Sequence, residues 1–216
     1  MQSDVAKTGR AIGTAISIML KTYAEVHKLH EELADRVEEA GAGLQTLPWW
    51  TFESLQSEDP KSCLRARLAR YFVPQGSLGK PKRETAESER ENNAHLRLEP
   101  TGRIAFATVE LYRADGSLPM PMVWYGVVDQ FSGSFLKGGA VLVQRGDLAT
   151  ILDSTNFALP GAPQPVYGRT RAFKAGARVR VWGQLAAIQN LDDVGALAKG
   201  VVAAYADPGI LERVEI

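Results

Sequence analysis

The apolar positions of the first forty residues repeat with the period of a helix. Val5, Ile12, Met19, Val26, Leu33 and Ala40 recur every seven residues, and Gly9, Ile16, Tyr23, His30 and Val37 form an interleaved set. Steps of four and three place all of them on one stripe of an α-helix. Ser3 and Asp4 suit its N-cap, and Gly41 with Gly43 supplies the stop. A helix of ~38 residues is ~57 Å long at 1.5 Å per residue, which exceeds the width of a small domain. One flank of it therefore calls for another helix or another chain. The expected oligomerisation or docking contacts are Val5, Gly9, Ile12, Ile16, Met19, Tyr23, Val26, His30, Leu33 and Val37.

The pattern then loses its period. Leu44 to Leu55 carries Pro48, Trp49, Trp50 and Phe52, rings expected to plug a core. Pro60 is read as opening a short helix, with Leu64, Leu68 and Tyr71–Phe72 at helical spacing and Pro74 ending it. Within residues 75–94 only Leu78 and two alanines are apolar, which reads as a polar linker or long loop. The expected organisation is a helical oligomerisation or docking region over 1–74, the linker 75–94, and a β-rich domain over 95–216.

From residue 95 the signals are those of strands. Arg103 to Arg113 is apolar on both faces, as a buried strand is. Asp115-Gly116 is a hairpin signal, and pairing about it sets Ala107 opposite Trp124 and Ala105 opposite Gly126. A second strand is expected from Met120 to Gln130 and a third near Ala140–Gln144. Asp147 is read as the cap of a short helix carrying Leu148, Ile151 and Leu152. Two more strands, Tyr167–Phe173 and Arg178–Ile188, flank a tight turn at Ala175-Gly176. The tail reads as a helix from Leu191 to Tyr205, with a strand at Gly200–Ala206 as the alternative because Gly195 and Gly200 weaken a helix. The fold class expected is α+β: a long, coiled-coil-like N-terminal helix, then a mainly antiparallel, barrel-like domain with one or two short helices.

Strand–strand–strand–helix–strand–strand is the order of an OB-fold. Lys174-Ala-Gly-Ala-Arg-Val-Arg-Val-Trp-Gly-Gln-Leu185 resembles a segment of bacterial single-stranded-DNA-binding proteins, in which a lysine and a glycine precede an alternating strand ending Gly-Gln-Leu. The resemblance covers residues 174–185 and implies an OB-fold, aromatic stacking of bases and oligomer formation. The family opens with its barrel and trails an acidic tail, whereas here a long helix comes first.

Composition narrows the field. The chain has 216 residues, 25 basic and 25 acidic, and a single cysteine, Cys63. A disulfide scaffold and a Cys-rich zinc module are excluded, and a reducing compartment is the expectation. Ala11 to Leu20 is uncharged but ends at Lys21, far short of the ~20 residues that span a bilayer. The expected location is the cytoplasm, without a membrane partner.

With no net charge, an anionic partner must be bound by a local patch. Lys61 to Arg83 holds seven basic residues and no acid, and residues 154–191 hold five basic residues and no acid. A hairpin turning at Ala175-Gly176 sets Arg169, Arg171, Phe173, Arg178, Arg180 and Trp182 on one face, with Val179 and Val181 on the other. Opposed arginines repel unless neutralised. A phosphate backbone would neutralise them, with Lys174 as a further cation and Phe173 and Trp182 stacking on bases. The alternative is neutralisation by the protein's own carboxylates.

Chemistry finds less support. His27, His30 and Glu31 have a ligand-like spacing, but His95 is the one further histidine. No nucleophile elbow and no phosphate loop is present, and no motif calls for a cofactor or a metal. The leading expectation is a non-enzymatic, oligomeric protein that presents a basic, aromatic face to single-stranded nucleic acid. The first alternative is a structural or adaptor subunit of a larger protein assembly, docking through its long helix. The second is an enzyme with a site around Glu110, Asp129 and His95.

Overall fold

The computed structural model describes residues 2–47, 67–77, 95–111, 121–144, 147–148, 151–152, 177–185 and 191–212. Helix α1 spans Gln2–Glu39. Strands β1 (Leu44–Thr46), β2 (Arg67–Pro74), β3 (His95–Leu98), β4 (Ile104–Glu110) and β5 (Met122–Asp129) follow. Then come β6 (Leu136–Lys137), β7 (Ala140–Gln144), β8 (Arg178–Leu185) and helix α2 (Leu191–Ala206), with short 3-10 turns at Gly133–Phe135 and Pro208–Glu212. The fold is α+β with a long N-terminal helix and antiparallel sheets.

Five strands form one sheet in the order β1-β2-β4-β5-β8, and three form another in the order β3-β7-β6. Among the described residues these are two separate sheets and no closed barrel. The five-stranded sheet is the middle of three layers. One face packs on the small sheet through Tyr71, Phe106, Trp124, Val128, Val179 and Val181 against Leu96, Leu98, Val141 and Val143. The other face meets the helices through Leu68, Phe72, Ala105, Ala107 and Val123 against Val26, Leu33, Val37, Val194 and Val201. Strand residues alternate between faces, so the run Ile104–Glu110 is buried throughout because each face has its own cover.

Residues 67–74 are a strand and not the helix expected from Leu64, Leu68 and Phe72. A spacing of four satisfies a period of two as well as it satisfies a turn of helix. Leu68, Arg70 and Phe72 face the helices, while Ala69, Tyr71 and Val73 face the small sheet. The sheet this strand belongs to draws its strands from both sides of residues 75–94. β1 and β2, from before residues 78–94, pair in one sheet with β4, β5 and β8 from after them.

The β4–β5 ladder is offset by one from the expected register. Ala107 faces Tyr125 rather than Trp124, and Phe106 rather than Ala105 faces Gly126. Directly opposed residues share a face, and a one-residue slip exchanges the faces of a whole strand. In the observed register Trp124 points into the sandwich, where its Nε1 donates to Glu110 Oε2 at 2.9 Å. In the other it would be driven against the helices.

Ala105 and Ala107 leave room for α2, and Gly200 of that helix rests on the Tyr125 ring, 2.9 Å from where a Cβ would stand. This contact explains a glycine inside a helix of low intrinsic propensity, and the strand alternative for the tail is discarded. Arg103 secures the far end of α2. Its Nη1 donates to the carbonyls of Tyr205 (2.7 Å) and Ala206 (3.3 Å), and its guanidinium carbon lies 5.8 Å from the centre of the Tyr205 ring. A cation at these carbonyls also answers the negative end of the helix dipole.

A Cβ at Gly126 would collide with the Arg180 carbonyl oxygen and approach Val181 Cα of β8 to 2.9 Å. Gly126→Ala should therefore force β5 and β8 apart and destabilise the protein by about 2–3 kcal/mol. The check is a urea titration, where the midpoint should fall with an unchanged slope.

Candidate docking surface on the long helix

The two halves of α1 have different surroundings. Val26, Leu33, Ala34 and Val37 are buried in the core beneath the helix, and Leu29 and Tyr23 pack against the same cluster. Gly41, at φ 68°, ends the helix in the left-handed conformation that glycine adopts without strain, as the sequence predicts. Toward the N-terminus the cover stops. Residues 7–18 are exposed, with Ile12 at 55%, Ile16 at 48% and Ile18 at 61%, and Leu20 is 65% exposed.

The expected oligomerisation stripe is thus divided. Val26, His30, Leu33 and Val37 are consumed by the protein's own body, with Tyr23 half-buried on it, and the expectation that they meet a partner is corrected. A stripe at heptad spacing serves a sheet and a second helix as well as another chain. Gly9, Ile12 and Ile16 remain bare and Met19 is half-covered, while the Val5 side chain lies outside the described residues. Nothing stands within 4 Å of a Cβ built at Gly9 or Gly13, so the backbone is open there.

Polar groups reinforce the anchored half. Arg70 of β2 faces the helices and is 8% exposed. Burial lowers its pKa, against the opposing pull of Glu31, Asp35 and Glu38, which stand along one edge of α1. His30 is 1% exposed. Burial, then the nearby charge of Arg70 and then that of His27, lowers its pKa from 6.5 to about 3, so it is neutral at physiological pH. His27, one turn away, is on the outside, with Nε2 3.3 Å from Glu31 Oε1. The two histidines therefore do not converge on a metal, and no cluster of three metal-ligating side chains occurs among the described residues.

Of the expected nucleic-acid face, Arg169, Arg171, Phe173 and Lys174 lie outside the described residues. Arg178 and Trp182 are placed by their backbone, opposite Asp129 and Tyr125, and their side chains lie outside the description. Val179 and Val181 do face away from Arg180, into the sandwich. Arg180 itself requires a correction. It is 8% exposed, and its Nη2 donates to Asp129 Oδ2 at 2.8 Å, so its charge is neutralised inside the protein rather than offered to phosphate. The expected enzyme site is not assembled either. Glu110 is opposite Met122 at one end of β5, Asp129 is at the other end, and His95 belongs to the other sheet.

The burial of Arg70 and of the Asp129–Arg180 pair escaped the sequence reading. Arg70 resembles a solvated flank of a helix until residues 67–74 are read as a strand between Leu68 and Phe72. The Asp129–Arg180 pair has no sequence signal beyond the β5–β8 register.

Two outcomes are expected. Removing one member of a buried ion pair strands the other, so Arg180→Ala should cost about 3–5 kcal/mol in chemical denaturation, and Arg180→Met with Asp129→Leu should recover most of it. The unfolded chain takes up a proton at His30 near pH 6.5, whereas the folded chain does so only near 3. Stability contributed by the neutral ring is therefore lost as pH falls below 6.5 and levels off below about 3. Between pH 7 and 5 this amounts to about 2 kcal/mol, a slope that His30→Gln should abolish in urea titrations at the two pH values.

Compared with known proteins, the chain matches no family model, no curated protein and no solved structure.

Proposed function

We propose that this protein is a structural or adaptor subunit of a larger protein assembly, docking through the N-terminal half of α1. One observation carries the reading. Ala11–Leu20 holds no charged residue, and it runs as exposed helix with Ile12, Ile16, Ile18 and Leu20 about half or more in solvent. Burying such a side chain fully is worth about 1.5–3 kcal/mol, so four of them along one helix are a substantial unspent driving force. A helix apolar around most of its circumference belongs inside something. The other half of α1 is gripped by its own domain, which holds the free half out as a firm projection.

The rival reading is an OB-like barrel with a basic, aromatic face for single-stranded nucleic acid. It needs Arg180 as a surface cation, and that side chain is committed to Asp129. The docking reading draws on exposed residues only.

A photoreactive residue at position 16, introduced into the full chain in cells, should form adducts with protein. The same group at position 21, on the basic side of the helix with Lys7 and Arg10, should form few. Ile12→Glu should reduce the yield from position 16 at least tenfold while leaving the thermal midpoint unchanged, since position 12 contributes to no core. Absence of adducts at position 16, or equal yield from position 21, would reject the docking role.

A further inference from the structure

We draw no further inference here: the strongest candidate, the open cleft between the Pro74–Ser77 turn, the Glu99–Gly102 turn and the end of α2, is lined by the oppositely charged, exposed Arg97 and Glu99 and by an Arg103 already bonded to the Tyr205 and Ala206 carbonyls, so no charge among its described residues selects a ligand.

Discussion

The projection of the N-terminal half of α1 follows from the seating of the helix between Tyr23 and Val37. Val26, Leu33 and Val37 share one buried cluster with Leu44, Leu68 and Phe72 of the sheet and with Val194, Leu197 and Val201 of α2. Arg70 is drawn into that contact, and the acids along the helix edge answer its charge. The contact is long enough to fix the axis of a helix of 38 residues but reaches only part way along it. The remainder of the helix is directed outward by a lever whose short arm is buried.

The sheet beneath is built for burial on both faces. Antiparallel sheets commonly leave one side to solvent, and their strands then alternate apolar with polar. Here β4 is apolar nearly without interruption because the small sheet covers one side and the helices the other. Polar atoms admitted to these layers are held by specific partners. Glu110 takes the Trp124 indole N–H, Thr108 Oγ1 donates to the Leu68 carbonyl at 3.0 Å, and Asp129 takes Arg180. Such pairs narrow the allowed registers, since slipping one strand would strand both members.

Much of the architecture could be read from local pattern. The α1 stripe, its glycine stop, the strands at 104–110, 122–129 and 140–144, and the tail helix each have a period or a turn signal of their own. What could not be read was set by contacts between distant segments. Residues 67–74 have a spacing compatible with both periods, and pairing with β4 decides between them. The ladder offset of one depends on which layer Trp124 enters. The sharing of α1 between an internal and an external role is invisible in a heptad pattern, which continues unchanged across Tyr23. The basic segment failed as a guide at Arg180 for the same reason, because its neutralising acid is 51 residues away in the chain.

The strand order gives the last strand a protective task. β5 has β4 on one side from early in the chain, but its other edge waits for β8, which begins 49 positions after β5 ends. Until the ribosome has delivered that segment, a row of unpaired amides and carbonyls flanked by Val123 and Val127 is open to any extended strand nearby, the circumstance in which nascent chains aggregate. Arg180 and Asp129 close that edge with a charge pair as well as a ladder, so the same contact that withdraws a cation from the surface also seals an adhesive border of the growing molecule.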